Sequence, residues 1–468
     1  MCGISLAVML IAVDQTVVVT ALPTISRELN GLRWYSWIGT SYLLASVIAL
    51  LGFGRLGDSF GRHLIAVAAI IWFTVSSALC GMANSIGVLA IARFSQGIGE
   101  GMLLSSAFAL IADLFPDARE RLKWQILVNA VYAAATAAGP LLGGLLTQSY
   151  GWRSVFFVNL PFGLTASWLV YRHVPGRPRP LGGTLERFDW PGVVLAGAVC
   201  GGLLLVIDRI ATHGGDAWAA AMLATCAVLA WILLRWECAS KYPVLPIMVF
   251  KANGVAVLLM LSWLGGFALF SLLFYLPLLL QSGLGLSPKA AGAMLTPFAV
   301  FMPLGSIING RIIVRMRSPK TVLTIGFLIL TMASVAIVVG FASMSAGMIT
   351  AMIALLGIAF GFTLPGLTII GQQLAGRDMV GVATASLQTL RTIGGLIGVA
   401  ATGGVISLIH PMASSSGAST LTGIVAAAQG SMVDAIRFGL LTVCVVSMAA
   451  LLISARIPTV SFDMFNRG

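Results

Sequence analysis

Asp14 stands near the middle of LAVMLIAVDQTVVVTALP, the otherwise apolar run from Leu6 to Pro23. A charge at the centre of a bilayer costs at least about 2.5 kcal/mol on the mildest scale, so it is kept where it has a task and a partner. Arg93, Gln96 and Glu100 lie in a second apolar stretch, residues 86–112. Seven helical positions at about 100° each return to within about 20° of the starting face, so these three can share one stripe. The chemistry open to such a set is uptake and release of a proton or retention of a cation. Each residue also has a bland reading. Asp14 can tie two helices together without transport, and Arg93 can snorkel to an interface. Glu100 is either a second proton or cation site or a structural partner of Arg93.

The elements that must position these groups are membrane spans. Of 468 residues, 59% are hydrophobic and 9% charged, with a mean hydropathy of +1.00. A soluble chain of this length could not solvate such a surface, so the sequence reads as an all-α integral membrane protein. The net charge of +12 comes from basic residues scattered through short loops, which argues against nucleic acid and for an orientation signal. The six cysteines show no CxxC pairing and the four histidines no metal-ligand spacing, so no metal or other cofactor is expected. No GxxxxGK[ST] loop is present, which disfavours an ATP-driven pump, and nothing indicates an enzyme. Residues 1–22 read as a retained first helix rather than a signal peptide, since no basic residue precedes the run and no small-residue cleavage site follows. The missing basic tail points to a natural start a few residues upstream.

Fourteen apolar runs can be read, at about residues 1–22, 35–53, 64–83, 86–112, 123–147, 154–172, 191–208, 217–236, 254–281, 290–310, 320–342, 346–374, 380–409 and 436–455. With this alternation 19 Lys and Arg fall on the side of the termini and 6 on the other, while Arg93 and Arg391 lie inside helices. The bias predicts both termini in the cytoplasm. The segment His410 to Asp434, rich in Ser, Ala, Gly and Thr, reads as an external loop with a short surface helix near Ile424 to Gln429.

A weak internal repeat pairs AAGPLLGGLL (Ala137 to Leu146) with RTIGGLIGVA (Arg391 to Ala400), and GRLGDSFGRH (Gly54 to His63) with NGRIIVRMRSPK (Asn309 to Lys320). It sets the first six helices opposite the last six, with helices 7 and 8 as an inserted pair. The predicted organisation is an N-terminal bundle over 1–172, linkers and the extra helices over 173–253, and a C-terminal bundle over 254–468. Two matching bundles are a common ground plan of rocking transporters.

In GRLGDSFGRH, glycines at 54, 57 and 61 allow a tight turn and close helix approach, while Asp58 and Arg62 supply complementary charge. In AGPLLGG, Pro140 lets the helix bend and Gly139, Gly143 and Gly144 give it a small-residue face. The first of these resembles the GxLaDrxGrkxxl loop of the major facilitator superfamily, matching at Gly54, Leu56, Asp58, Gly61 and Arg62, with Gly57 and His63 as departures. The second resembles the superfamily's antiporter motif, GPxxGG. DQTVVVTALP resembles the helix-1 signature lDxTvvnvALP of its fourteen-helix drug:proton antiporters, and WRSVFFVNLPFG, Trp152 to Gly163, the start of their helix 6.

The resemblance covers nearly the whole chain. It implies a major facilitator fold of two pseudo-symmetric six-helix bundles plus two helices, fourteen in all, acting as a monomer in the cytoplasmic (inner) membrane. It implies that RFSQGIG, Arg93 to Gly99, presents a buried arginine that stabilises a deprotonated carboxylate. Glu100 departs from the small residue usual there. Gly54, Asp58, Gly61, Arg62 and Arg119 would form a conformational latch on the cytoplasmic face, and Gly139, Pro140, Gly143 and Gly144 the antiporter motif. The function implied is export of amphipathic, cationic drug-like compounds in exchange for protons by alternating access, with Asp14, Glu100, Arg93 and Gln96 coupling proton to substrate. An exporter of an endogenous metabolite or lipid is the alternative, and a non-transporting sensor on the same scaffold ranks below it. Trp263, Phe267, Phe270, Tyr275, Met294 and Phe298 would supply an adaptable apolar wall, with Arg391 pairing across the bundles or bonding to carbonyls. The partners are then a lipophilic small molecule, protons and membrane lipid.

Overall fold

The structure is a computed structural model that describes every residue except 32–33, 116, 175–188, 241–253, 314–319, 376–379, 410–420 and 458–468. Within helices it describes the backbone alone at 54–60, 108–109, 112, 118–119, 121–122, 126, 313, 380–381 and 421–431.

Among the described residues the chain is helical, with no strand. The helices are α1 (Cys2–Glu28), α2 (Tyr35–Phe60), α3 (Arg62–Gly81), α4 (Ile86–Leu114), α5 (Ala118–Tyr150), α6 (Ser154–Phe157), α7 (Asn159–His173), α8 (Trp190–His213) and α9 (Ala217–Ala239), followed by α10 (Val255–Gly283), α11 (Pro288–Ile313), α12 (Lys320–Gly340), α13 (Ala346–Ala375), α14 (Val380–Ile409) and α15 (Leu421–Ser454). The short α6 runs into α7 through Val158, and together they make one span, Ser154–His173. Among the described residues thirteen segments are long and apolar enough to cross a membrane. The remaining long helix is α4, whose 29 residues include Arg93, Gln96 and Glu100. With it the fourteen predicted spans are recovered. The outward faces are those of a lipid-facing protein: Ile71, Trp72, Val75 and Leu79 of α3 and Trp218 and Trp231 of α9 are all exposed.

Three predicted loops are corrected. The GRLGDSFGRH stretch is not a loop, because α2 continues to Phe60 and only Gly61, at φ +92°, breaks the helix before Arg62 opens α3. Glycine alone takes that dihedral without strain, so one residue makes the whole turn. The segment from Arg119 to Lys123 is the first turn and more of α5 rather than a loop. Residues 421–434, expected as external loop with a short separate helix near Ile424 to Gln429, form the opening turns of α15, a continuous 34-residue helix. At 1.5 Å per residue it is about 50 Å long, well beyond the roughly 30 Å of a hydrocarbon core.

The chain divides into two compact units, one of Met1–Leu205 with Ala220–Val244, the other of Val206–Ala219 with Leu245–Gly468. Most of the inserted pair α8 and α9 therefore packs with the first unit. There Gly197 approaches Ile48 and Gly202 approaches Cys226. Asp189 caps α8 through the Gly192 amide at 2.9 Å and accepts from Trp236 Nε1 of α9 at 2.7 Å, pinning the two helices together at one end.

Within each unit one close helix pair meets at glycine. In the first, Gly97 and Gly101 of α4 lie on the carbonyl oxygens of Tyr42 and Ser46 of α2, leaving no room for a Cβ. In the second, Gly357 and Gly361 of α13 lie in the same way on Phe298 and Met302 of α11. Such approach admits Cα–H···O contacts along the seam. A second seam repeats too. Gly139 and Gly143 of α5 press on Thr16, Val17 and Thr20 of α1, while Gly394 and Gly398 of α14 press on the backbone of Trp263 and Phe267 of α10. The repeat legible in the sequence is thus a repeat of close glycine approaches between helices, with Gly139 matched to Gly394, one residue from the alignment of the sequence segments.

Candidate functional site

The polar residues of α1 and α4 meet inside the first unit. Asp14 is fully buried, and Arg93, Gln96 and Glu100 are each no more than 2% exposed. Arg93 Nη1 donates to Asp14 Oδ2 at 2.8 Å and to Gln96 Oε1 at 2.8 Å. Gln96 Nε2 donates to Asp14 Oδ1 at 2.9 Å, and Asn159 Nδ2 of α7 donates to the same oxygen at 2.7 Å. The Arg93 guanidinium carbon sits 3.8 Å above the centre of the Tyr42 ring, a cation–π contact in a desolvated setting. Snorkelling is thereby excluded for Arg93, whose charge is spent on Asp14 and Tyr42.

This arrangement fixes every donor direction around Asp14. Gln96 cannot turn its amide over, because its oxygen already serves Arg93 and the Cys80 thiol. Asn159 Nδ2 is held from behind by Ser77 Oγ at 3.0 Å, and Ser77 in turn donates to the Phe156 carbonyl. The break between α6 and α7 places Asn159 at the first position of α7, where its side chain reaches α1 and α3 at once. Asp14 therefore accepts from a guanidinium and two amides, all of them donors only at those atoms.

Glu100 belongs to a different set. Its Oε1 accepts from Gln15 Nε2, and Gln15 Oε1 accepts from Tyr132 Oη of α5 at 3.2 Å. The hydroxyls of Tyr42 and Ser46 face the same carboxyl from α2, and its Oε2 takes no well-formed hydrogen bond among the described residues. No ion pair joins Glu100 to Arg93 among the described residues, so its reading as a structural partner of that arginine is replaced by a contact with Gln15. The buried arginine thus bonds to Asp14 and not to Glu100, and among the described residues no basic side chain bonds to Glu100.

Sequence spacing placed Arg93, Gln96 and Glu100 on one stripe, and the first two do converge on Asp14. It did not find Asn159, Gln15, Tyr42, Ser46 or Tyr132. A signal was present for two of them: Gln15 adjoins Asp14, and Asn159 is a buried amide in the VFFVNLPFG run.

Of the expected latch, Arg62 donates to Asp113 Oδ1 at the end of α4 at 2.8 Å and Gly61 supplies the turn. The side chains of Gly54, Asp58 and Arg119 lie outside the described residues. Pro140, Gly143 and Gly144 are buried in α5, where Gly139 and Gly143 seat the helix on the Thr16 and Thr20 turns next to Asp14. In the second unit Tyr275 is buried, donating to the Val399 carbonyl at 2.9 Å, and Phe298 stacks edge-on to Phe360 at 5.8 Å. Both serve the packing of that unit. Trp263 and Phe267 make a tilted ring pair at 6.1 Å, while Phe270 lies against Gly395. Met294 and Arg391 are partly exposed.

Matching the glycine seams shows where the units differ. By the spacing from Gly97 and Gly357, the counterparts of Arg93, Gln96 and Glu100 are Ile353, Leu356 and Phe360, all fully buried. The counterparts of Tyr42 and Ser46 are Phe298 and Met302. A polar pocket in one unit is an apolar cluster in the other.

A multi-pass helical membrane protein with a duplicated bundle and an ion-lined interior in one copy is a transporter by architecture. The family model described as the Major Facilitator Superfamily matches residues 4–399, and the chain belongs to that superfamily. Among its relatives, the multidrug transporter protein MdtP of Bacillus subtilis (strain 168) is 32% identical over 421 residues, covering 86% of this chain and 74% of that protein. The methylenomycin A resistance protein of the same organism is 30% identical over 417 residues, covering 86% of each. The tetracenomycin C resistance and export protein of Streptomyces glaucescens is 31% identical over 412 residues, covering 86% of this chain and 74% of that protein. Among solved structures, a bacterial homologue of the human lysosomal transporter Spinster, inward-facing and occupied, aligns with a TM-score of 0.68 at 15% identity over 98% of this chain and 96% of that one. A D-xylose–proton symporter aligns at 0.65 and 16% identity over 98% and 97%. At such identities the structures speak to the fold alone. The chain is a membrane transporter and not an enzyme.

Proposed function

We propose that this chain is a proton-coupled antiporter that exports amphipathic, drug-like compounds, cationic ones foremost, across the cytoplasmic membrane. The observation that carries the reading is a pair of buried carboxylates within one bundle, Asp14 ion-paired with Arg93 and Glu100 without an ion pair among the described residues. Two negative charges against one positive leave an apolar interior short of one cation, which a proton or a cationic substrate can supply in turn. Competition for that place is the simplest basis of exchange. Names among the relatives, a multidrug transporter and two antibiotic resistance proteins, support export of foreign or natural-product molecules. The glycines of α5 support an antiport role by seating that helix on the Asp14-bearing turn of α1, and the Arg62–Asp113 pair supports the latch reading. In this reading the chain works as a monomer with both termini cytoplasmic.

Purified protein in proteoliposomes with an imposed pH gradient tests it. Tetraphenylphosphonium and ethidium, as lipophilic cations, should accumulate on the acidic side, and a neutral sugar should not. Accumulation that ignores the pH gradient overturns proton coupling, and preference for the sugar overturns the substrate class.

A further inference from the structure

We propose that Glu100 is the group that takes and gives up the coupling proton, while Asp14 stays ionised as the fixed counter-ion of Arg93. The inference rests on the antiport reading above and divides labour within it.

A carboxylate accepts at both oxygens, whereas a carboxylic acid must also donate from one of them. Asp14 Oδ1 faces two amide NH2 groups and Oδ2 faces a guanidinium. A proton on either oxygen would point at a donor that has nothing to receive it. Gln96 cannot invert to offer its oxygen, since Oε1 is claimed by Arg93, and Asn159 presents Nδ2 both to Asp14 and to Ser77. Protonation would also strand Arg93, 2% exposed, without its ion partner.

Glu100 meets the opposite conditions. Its Oε1 is bonded by Gln15, which leaves Oε2, buried and without a well-formed bond, as the place for a proton. The groups facing it from α2 are hydroxyls, Tyr42 and Ser46. A hydroxyl donates to a carboxylate and, by rotation, accepts from a carboxylic acid, so the groups beside Glu100 suit either of its states in a way the donor-only groups around Asp14 do not. The titratable and charged groups around it are Asp14 on α1, Tyr42 on α2, Cys80 on α3, Arg93 on α4 and Tyr132 on α5. Arg93 is the cation among them, and its hydrogen bonds go to Asp14 and Gln96. The step is one proton taken by Glu100 Oε2 from hydronium on the acidic side, whose O–H bond breaks as the carboxyl O–H forms, and returned to water on the other side. A lipophilic cation near Glu100 would compete with that proton for the same charge.

The test joins difference infrared spectroscopy to transport. In the reconstituted wild type a protonated-carboxyl carbonyl band should appear on acidification. It should vanish in Glu100→Gln, persist in Asp14→Asn, and change frequency in Glu100→Asp, which returns a carboxyl at a different reach. Glu100→Gln should lose pH-driven accumulation of tetraphenylphosphonium, and Glu100→Asp should restore part of it. Should Glu100→Gln fail to fold, the frequency change in Glu100→Asp still decides. A band that survives Glu100→Gln and disappears with Asp14→Asn overturns the assignment, as does an unmoved band in Glu100→Asp or wild-type accumulation by Glu100→Gln. A wild type that shows the Glu100 band but no pH-driven flux overturns the antiport reading and leaves Glu100 as the titrating group.

Discussion

Removing one partner of the Asp14–Arg93 pair should cost far more than removing both. Asp14→Asn keeps the shape of the side chain but turns the oxygen 2.8 Å from Arg93 Nη1 into an amide nitrogen, donor against donor, or forces the same conflict with Gln96 and Asn159. Arg93 would keep Gln96 Oε1 and the Tyr42 face but lose its counter-ion. Breaking a buried pair from one side typically costs about 3–5 kcal/mol, chiefly because the other charge is left uncompensated. Arg93→Met should cost about as much for the mirror reason, since Asp14 would keep only its amide donors. With both charges gone, the double variant leaves Gln96 and Asn159 facing a neutral amide, and its loss should fall to about 2 kcal/mol or less by the same principle. The coupling between the sites is then several kcal/mol, beyond the roughly 0.5–3 kcal/mol common for neighbouring residues. The measurement is equilibrium unfolding in mixed micelles of a mild detergent and sodium dodecyl sulfate, on the wild type, both single variants and the double. Single losses that add to the double loss within about 0.5 kcal/mol would refute the view that this pair is one electrostatic unit.

Three further outcomes follow from other parts of the chain. Gly101→Leu should disrupt the first unit, because α2 backbone fills the space its side chain needs, and the matched Gly361→Leu should do the same in the second; each should lower the unfolding midpoint by at least the 1–3 kcal/mol usual for overpacking, whereas Gly87→Leu, with open space around it, should not. Asn159→Ala should cost about 1–3 kcal/mol by leaving Asp14 Oδ1 and Ser77 each short of a donor, and Ser77→Ala less, which the same unfolding assay ranks. At the exposed tip between α8 and α9, the Arg209 guanidinium and the Ala219 amide hold the Asp216 carboxyl below its ordinary range. A carboxyl lowered by folding contributes stability above its unfolded pKa and loses it as the pH falls through the folded one. The melting temperatures of wild type and Asp216→Asn should therefore converge on acidification below the ordinary carboxylate range and stay apart at neutral pH.

Much of the fold is legible in hydropathy because a spanning helix announces itself by length and composition. The exception is informative: among the described residues α4 is the long helix that does not read as a span by apolar composition, and Arg93, Gln96 and Glu100 sit in it. Helix ends were harder to read. Charged and glycine-rich GRLGDSFGRH looks like a loop, yet its residues through Phe60 satisfy their backbone within α2 and leave the turn to Gly61. Residues 421–434 look loop-like by their Ser, Gly and Gln content, although the Ala and Met among them favour helix. As for the site, angular spacing placed three residues on one face of α4 without saying what lies opposite. That depends on how α1 and α2 sit against α4, and the register of α2 is set by Gly97 and Gly101 on the Tyr42 and Ser46 carbonyls. The contact of Glu100 with Gln15 of α1 is one between helices, which no single-helix periodicity could reveal.

The matched glycine seams have a consequence for how such a chain can change over time. Where two helices touch through backbone alone, the contact is blind to the side chains on every other face, so a duplicated half can keep its mechanics while its interior is rewritten. One copy here holds an ionic pocket, and the other, at the corresponding places, holds Ile353, Leu356 and Phe360. The second half is in this sense a blank copy of the first, already cut to the right shape. Writing Phe360→Glu with Phe298→Tyr into it would ask whether a second ionisable pocket can be installed by two substitutions, with the seam of Gly357 and Gly361 left as it stands.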